Sequence, residues 1–200
     1  QHCRADRGNR RPGKSHQSIR DISLFGALPN MTIVQPCNAN ETKELVNYCV
    51  QESNENCMIR LNIGPSPRRL ELPASHKTEY GKGAILRPGT DAVIFGYGPI
   101  MLHEAVLASE ILEEQGFGLQ VINMPWLNRV DLEWFKSIIQ SQDKIFIIED
   151  HAPVGGLGDY LLNVLVENNL LEDKHFEKFA IEGYPACGTP QEALCFHRLD

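Results

Sequence analysis

The sequence predicts an α/β protein, in which a small α/β region with two visible strands precedes a larger three-layer domain built on a parallel sheet. After residue 83, strand-sized apolar runs alternate with helical patterns of 12–17 residues, as is typical of βαβ units. The runs at residues 92–95 and 144–148 are almost entirely apolar, as expected where helices cover both faces of a sheet. Residues 65–82 are rich in proline and charge without apolar periodicity, and their length favours a domain boundary over a single loop.

The small region, residues 15–64, has the predicted order helix, strand, helix, strand. β-branched residues between Thr32 and Gln35 favour a strand that Pro36 ends, and Asn38 or Asn40 is a candidate cap for the helix that follows. The predicted elements are a helix over Ile19, Ile22 and Leu24–Phe25 with Ser15 or Ser18 as its cap, a strand at 32–35, a helix carrying Leu45, Val46, Cys49 and Val50, and a strand at 57–61.

The large region, residues 83–200, alternates more regularly. Within the predicted helix at 99–115, Met101, Ala105 and Leu112 share one face, which suits a helix lying on a sheet. The predicted strands are residues 83–86, 92–95, 119–123, 144–148 and 176–181, and the predicted helices are residues 99–115, 130–141 and 155–168, followed by a last helix that starts at Thr189-Pro190.

Charge and hydropathy restrict the possible partners. The net charge of −7 disfavours a nucleic-acid-binding role. Residues 1–20 nevertheless carry +5, and their glycines and proline are typical of a solvated, poorly ordered arm, assigned to residues 1–14. No apolar run approaches the roughly 20 residues that span a bilayer, so we expect neither a membrane nor a nucleic-acid partner.

The six cysteines form neither a CxxC pair nor a metal-ligand spacing. The first residues lack the basic and apolar segments of a secretory signal. We therefore expect reduced thiols in a cytoplasmic protein.

Two glycine-containing segments precede predicted helices. Gly96-Tyr97-Gly98 has the start of a dinucleotide fingerprint, but Met101 stands where the third glycine belongs and no acidic residue ends the next strand. A tight βα turn is the favoured interpretation. Gly155-Gly156-Leu157-Gly158 opens a helix whose free N–H groups suit an anion.

Glu149-Asp150-His151 ends the strand before the second glycine segment, at the sheet edge where open α/β proteins carry functional groups. A carboxylate beside an imidazole suits general acid–base work. Since no nucleophile, metal-ligand set or second acid accompanies them, contacts with loop backbone or with another subunit are the favoured interpretation. The role of this cluster and of residues 155–158 stays open at this point.

Ser15, His16 and Asp21 supply the side-chain types of a hydrolase triad, but tertiary structure assembles triad members, and a short run does not. A histidine at a helix start is more typical of capping or of the surface. Composition and spacing alone therefore predict a soluble α/β protein with a reduced first domain.

Longer stretches resemble the transketolase family. Residues 13–21 and 28–36 resemble its G-x-[ST]-H-Q turn and the PNM-strand-P pattern that follows. The other matching stretches are residues 89–96, 105–116, 121–124, 147–151, 155–158 and 188–192. The resemblance is colinear over residues 13–200, which is more specific than any single motif. The more similar relatives are two-piece bacterial or archaeal transketolases and animal transketolases.

The resemblance implies that residues 15–64 are a truncated pyrimidine-binding domain, residues 65–82 a linker and residues 83–200 a complete transketolase C-terminal domain. That domain would have three layers around a mostly parallel five-stranded sheet with one antiparallel strand. The implied chemistry is the transfer of a two-carbon ketol unit between sugar phosphates, as in pentose phosphate metabolism. Family enzymes use thiamine diphosphate and Mg²⁺ at a dimer interface.

His16 is the one residue that matches an active-site position of the family, and the resemblance implies a catalytic place near the thiazolium and the substrate. Pro12 stands where relatives carry an acidic residue that contacts a substrate hydroxyl, and Ile63 stands where they carry a phosphate-binding arginine. The cofactor-activating glutamate and the metal–diphosphate loop have no counterpart in the sequence. We therefore expect the isolated chain to bind neither thiamine diphosphate nor a metal.

These expectations leave two candidate functions. The first is the C-terminal section of a transketolase-like transferase, inactive in isolation and completed by an N-terminal transketolase subunit or by a homodimer. The second is a non-catalytic remnant or interaction module with the same fold. Because the active site is incomplete, the sequence leaves the status as an enzyme undecided.

Overall fold

The computed structural model of the protein describes residues 18–62 and 66–200. Its first region contains two helices and two strands, α1 (Asp21–Gly26), β1 (Met31–Val34), α2 (Ala39–Asn47) and β2 (Asn56–Ile59). Helix α2 continues into a π-helical turn at Tyr48–Glu52. Strands β1 and β2 pair in parallel, with Met31 opposite Asn56 and Val34 opposite Ile59.

The second region contains a five-stranded sheet and four helices. Its elements are β3 (Ala84–Arg87), β4 (Ala92–Gly96), α3 (Gly98–Glu114), β5 (Leu119–Asn123), α4 (Leu132–Ile139), β6 (Lys144–Ile148), α5 (Leu157–Glu167), β7 (His175–Phe179) and α6 (Pro190–His197). Across the sheet the order is β3-β5-β4-β6-β7, and the β3–β5 pair is antiparallel while the other pairs are parallel. The predicted fold class is confirmed.

The central strand β4 is buried on both faces. Val93 and Phe95 belong to a cluster that includes Phe135 of α4 and the apolar side of α5. Ala92 and Ile94, which point the other way because side chains alternate along a strand, belong to a second cluster with α3. The sheet therefore has helices on both faces, which are the three layers that the sequence predicts.

The two regions are joined through the backbone. The edge of β1 that does not face β2 is covered by the residues that follow β5: Leu127 N–H donates to Ile33 O at 2.9 Å and Gln35 N–H donates to Pro125 O at 2.9 Å. Trp126, which stands between Pro125 and Leu127 in the sequence, is fully buried. The small sheet is therefore extended by a segment of the larger region.

The structure confirms two of the three predicted helix caps. Asn38 caps α2, and Thr189 caps α6 in a reciprocal capping box. The prediction of Ser18 as the cap of α1 is wrong, because the helix begins at Asp21 after Arg20, whose side chain makes no capping bond. The Asp21 carboxylate instead accepts from the N–H of Ile22, the next residue, at 3.1 Å.

The predictions for the basic arm at 1–14 and for Ser15, His16 and Ile63 fall outside the described residues. The domain bounds 15–64, 65–82 and 83–200 remain predictions. Within the part of the chain that the structure describes, no helix is long and apolar enough to cross a membrane.

Candidate functional site

The carboxyl ends of strands from both sheets meet at one place. Gln35 follows β1, Arg60 follows β2, Tyr97 follows β4 and Asp150 stands two residues after β6. This edge is where parallel α/β sheets place functional groups. Arg60 contacts the other three residues, so the two sheets are bound together at their functional ends.

Arg60 is the centre of this network. Its Nε donates to Asp21 Oδ2 at 2.8 Å and its Nη1 donates to Asp150 Oδ1 at 3.0 Å. Nη1 also donates to Gln35 Oε1, and the guanidinium lies 5.7 Å from the centre of the Tyr97 ring. The Arg60 side chain is 10% exposed. One buried cation is therefore shared by two carboxylates from elements far apart in the sequence.

The environment fixes the protonation of this group. Burial alone would lower the pKa of Arg60, but the neighbouring charges of Asp150 and Asp21 outweigh it and raise the pKa above the ordinary arginine value. Burial, together with the charge of Asp150, raises the pKa of the Tyr97 phenol well above its ordinary value. Arg60 therefore stays charged and Tyr97 stays neutral, so neither is suited to transfer a proton near neutral pH.

The Gly96-Tyr97-Gly98 turn serves this network. Gly98 has a φ of 67°, and a Cβ there would collide with the amide of Gln35. The Gln35 amide donates to Asn62 Oδ1 at 2.8 Å. The prediction of a tight turn is confirmed, and its glycine lets the end of β1 approach the start of α3.

A cavity of about 570 Å³ opens beside Arg60. Its walls include Asn62 after β2, Met101 in α3 and Ala193 in α6. Ser18 also lines it and stands two positions after His16 in the sequence. The cavity thus adjoins the described end of the segment that carries the predicted catalytic residue, while His16 itself lies outside the described residues.

His151 is fully buried and both its ring nitrogens contact backbone. Nδ1 lies 2.8 Å from Ala152 O, and the N–H of Ser23 lies 3.3 Å from Nε2. Burial lowers the pKa of His151, which favours the neutral ring with the proton on Nδ1. The imidazole therefore connects the loop after β6 to α1, as the favoured structural interpretation predicts. Asp150 departs from that interpretation, because it binds the Arg60 guanidinium.

Glu149 is fully buried at the N-terminus of α5. Burial raises its pKa to about 8, against the opposing effects of the Lys178 charge and of the Gly158 and Leu157 N–H groups. A Cβ at Gly156 would collide with the Glu149 carboxylate, and a Cβ at Gly158 would collide with the Lys178 side chain and lie tightly against Glu149 Oε1. The glycine segment that suits an anion by sequence therefore surrounds a carboxylate of the chain itself.

The buried Glu41 carboxylate also connects the two regions. Glu41 Oε1 accepts from Asn123 Nδ2 at 2.6 Å, and its Oε2 accepts from the N–H of Cys37 at 2.7 Å. Burial raises the pKa of Glu41. The contact connects the first turn of α2 to the end of β5, close to the edge that carries Arg60.

Sequence reasoning missed Glu41 and Arg60, and it considered Asp21 only as a possible triad member. For Arg60 a signal exists, since it is the one charged residue within the predicted strand at 57–61. For Glu41 no local signal exists, because it stands among polar residues at the start of α2, as solvent-exposed glutamates commonly do.

The residues of this site do not by themselves suit the cofactor that the resemblance implies. Among residues 18–62 and 66–200, no group of three or more histidine, cysteine, aspartate or glutamate side chains is arranged to hold a metal ion. Asp21 and Asp150, which line the cavity, are engaged by Arg60. Because Mg²⁺ needs free oxygen ligands, these residues do not fit a metal–diphosphate site on their own.

Family comparison decides the identity. Residues 81–194 match the family model for the transketolase C-terminal domain, and residues 3–64 match that for the transketolase pyrimidine-binding domain. The chain belongs to the transketolase family. The two matches follow one another in the order that the colinear motifs predict.

Two curated relatives of this transketolase-family chain are named as a section or a subunit. It is 30% identical over 189 residues to a protein of Methanocaldococcus jannaschii provisionally named a transketolase C-terminal section, covering 94% of the chain and 58% of that protein. It is 31% identical over 196 residues to one of the subunits of the apulose-4-phosphate transketolase of Phocaeicola vulgatus, covering 92% of the chain and 62% of that protein. The chain thus spans about three fifths of the length of these curated relatives.

A solved structure is similar over the same extent. It is described as a split gene transketolase in an inactive beta4 tetramer, and the match has a TM-score of 0.82 and 30% identity. The match covers 94% of the chain and 59% of that chain. The match to this split gene transketolase therefore supports both the fold and the family.

Proposed function

We propose that the chain is the C-terminal section of a split transketolase-type enzyme that transfers a two-carbon ketol unit between sugar phosphates. The observation that carries the proposal is the match over 94% of the chain to a structure described as a split gene transketolase. The complete enzyme would use thiamine diphosphate and Mg²⁺, which supply the carbanion chemistry of ketol transfer. The rest of the cofactor site would be supplied from outside these 200 residues.

In this proposal the described residues build a wall of the site. The Arg60 network holds the ends of β1, β2, β4 and β6 at fixed positions, and the adjacent cavity is lined by residues of both regions. Such a rigid support is what positioning of a substrate requires. The charged residues of the network bind each other, so their role is to hold the wall and not to react.

We include an N-terminal transketolase subunit as the partner, with a homodimer as the alternative assembly. The names of two relatives support assembly, since one is named as a subunit and the other forms a beta4 tetramer. A cytoplasmic location is also part of the proposal, supported by free thiols at the five described cysteines. Cell fractionation of the native host would test the location.

His16 is the proposed catalytic residue of the section. A neutral imidazole can donate to a substrate hydroxyl or oxyanion near neutral pH without a large pKa shift. Its neighbour in sequence, Ser18, lines the cavity next to Arg60. This placement in the sequence supports a contact between His16 and substrate in the assembled enzyme.

The test is reconstitution. The purified chain, alone and mixed with the N-terminal section of a split transketolase, is assayed for ketol transfer from a ketose phosphate to an aldose phosphate. We expect turnover in the mixture and none from the chain alone. In the active mixture, His16→Ala should lower kcat more than it raises KM, as the loss of an interaction made in the transition state does. His175→Ala is the matched control, because His175 is exposed on β7.

The alternative function is a non-catalytic remnant or interaction module. Pro12 and Ile63, at places where relatives carry substrate-contacting residues, favour it. A stable complex with the N-terminal section that never turns over would support this alternative and contradict the catalytic proposal.

A further inference from the structure

Strand β2 of the first region has an open edge. It pairs with β1 on one side, and no described strand lies on its other side. The N–H groups of Asn56 and Arg60 donate to backbone carbonyl oxygens of the β1 segment, each at 2.8 Å. Because backbone groups alternate in direction along a strand, the N–H and C=O groups of Cys57 and Ile59 point away from β1. The open edge therefore presents two hydrogen-bond donors and two acceptors.

The outer strands of the larger sheet carry features that block a further strand. Strand β7 has exposed ionisable side chains, His175 and Glu177, which contact each other at 3.2 Å between Nε2 and Oε2. Strand β3 has a register shift between Ile85 and Arg87. Charged side chains and bulges of this kind prevent pairing between sheet edges. Strand β2 has a regular register with β1 and carries neither a charge nor a proline over residues 56–59.

The edge of β2 is also accessible. Asn56 is exposed, and Cys57, Met58 and Ile59 are partly buried. Leu61, two residues after the strand, is 62% exposed. A parallel pair can accept an antiparallel strand at its free edge, as the second region demonstrates: β5 pairs in parallel with β4 and antiparallel with β3. A strand of another chain can therefore add to β2 in either direction.

We propose that a second copy of this chain pairs with the open edge, β2 against β2, in antiparallel orientation about a two-fold axis. Met58 of the two copies would lie on the axis, and Cys57 of each copy would face Ile59 of the other. The two facing pairs would exchange four backbone hydrogen bonds and join the small sheets into one four-stranded sheet. This contact specifies a surface for the homodimer that the proposed function includes as an alternative assembly, and in that respect it rests on the proposed function.

The charge pattern selects a second copy as the occupant. In the antiparallel register, Arg60 stands opposite Asn56 of the second copy and Glu55 stands opposite its Leu61, so no like charges face each other. Pairing with β7 of another copy would instead place the exposed Glu177 beside the uncharged strand. A contact of β2 with β2 is isologous and closes at two chains, whereas β2 against a different edge would leave a free edge on every assembly.

Sedimentation velocity of the full chain under reducing conditions measures the association. A contact of four residues per strand is smaller than a tight interface, so the chain concentration is varied from about 1 μM to about 1 mM. We expect the average mass to rise from that of one chain toward that of two and no further. Cys57→Pro removes one outward N–H and keeps the N–H groups that bond to β1, so this variant should remain monomeric.

Three further variants separate the loss of pairing from other effects. Cys57→Val keeps the N–H group and a strand-forming side chain but lacks the thiol, so it should associate as the parent does. Cys57→Lys places a charge opposite Ile59 of the second copy and should remain monomeric with the melting temperature of the parent. Val166→Lys adds the same charge on α5, at a residue that is 57% exposed, and should not change the association.

Amide exchange followed residue by residue locates the contact. The N–H of Met58 points toward β1 and should exchange slowly at every concentration, while those of Cys57 and Ile59 should become protected only as the dimer forms. A chain that stays monomeric over the whole range would overturn the proposal. So would a dimer that persists in Cys57→Pro, or one that forms without protecting the Cys57 and Ile59 amides.

The N-terminal section of a split transketolase provides the last comparison. Protection of the Cys57 and Ile59 amides only after this section is added would assign the edge to it and would contradict pairing between copies. None of these readouts uses ketol transfer. Their failure therefore leaves the reconstitution test of the proposed function standing.

Discussion

The two regions of the chain differ in how they bury their strands. In the second region, β4 has a neighbouring strand on each side and all five of its residues are buried. In the first region, β2 pairs with β1 alone among the described strands, and none of its residues is fully buried. The difference teaches that the first region is not ordered by its own sheet.

The first region is held in place by contacts with the second region. Ile33 and Val34 of β1 share a core cluster with Tyr97 and Trp126. The N–H of Ala152 donates to Ile19 O at 2.7 Å, which ties the start of the first region to the loop after β6. The small sheet therefore folds as an addition to the large one, and substitutions or separation of the regions can test that dependence.

The largest effect is expected from separating the regions. Residues 83–200, produced alone, should unfold cooperatively but at a lower temperature than the full chain, because the cover of Trp126 and Tyr97 is lost. Residues 1–64 alone should not fold. Circular dichroism and thermal melting of the two fragments check this. A cooperative melt of 1–64 would contradict the dependence.

The next effect concerns Arg60. Arg60→Ala leaves Asp21 and Asp150 facing each other without their shared cation, and we expect a loss of about 3 kcal/mol in the free energy of unfolding. Arg69→Ala is the control, because the Arg69 side chain is 89% exposed, and we expect a change below about 0.5 kcal/mol. Urea unfolding of both variants measures the difference. Equal losses would mean that Arg60 does not join the regions.

Glu149 gives a pH-dependent prediction within the second region. Its pKa is raised from 4.5 to about 8, so between these values the folded protein holds a proton that the unfolded chain releases. Stability should therefore fall as pH rises through this window and level off above it. Glu149→Gln keeps the neutral shape, and we expect it to melt several degrees above the parent at pH 9 and near it at pH 5.

The control for this series is Glu133→Gln, at a side chain that is 83% exposed on α4. Its melting curve should follow the parent at both pH values. If Glu149→Gln also follows the parent at pH 9, the carboxylate is ionised in the folded protein without cost, and its burial does not govern stability.

The smallest effect compares the two confirmed caps. Asn38→Ala and Thr189→Ala should each cost about 1 kcal/mol locally. Helix α2 buries Leu45 in the main core, so the Asn38 loss should lower the global melting temperature. Helix α6 buries no residue fully, so the Thr189 loss should appear as faster hydrogen exchange in α6 alone. Equal global losses would contradict this distinction.

The sequence predicts most of the elements and little of what connects them. Strand and helix positions follow from local periodicity, and every predicted strand is present within a few residues. The contacts of Arg60 join residues 39 and 90 positions away, and no local pattern encodes such a pairing. Glu149 could be recognised from the sequence as a group at the end of a strand, but its burial could not, because the sequence does not show that the Gly156 backbone approaches its carboxylate.

The covered edge of β1 has a mechanical consequence. Two backbone hydrogen bonds tie β1 to the residues directly after β5, and the Asn128 side chain adds contacts with the N–H of Ile33 and with Met31 O. Because these bonds join backbone to backbone, we expect a displacement of β1 to move the end of β5 and, through strand pairing, β3 and β4. Substitution of Asn128 would remove the side-chain contacts and leave the two backbone hydrogen bonds. The position of the small sheet is thus coupled to that of the large sheet through the backbone.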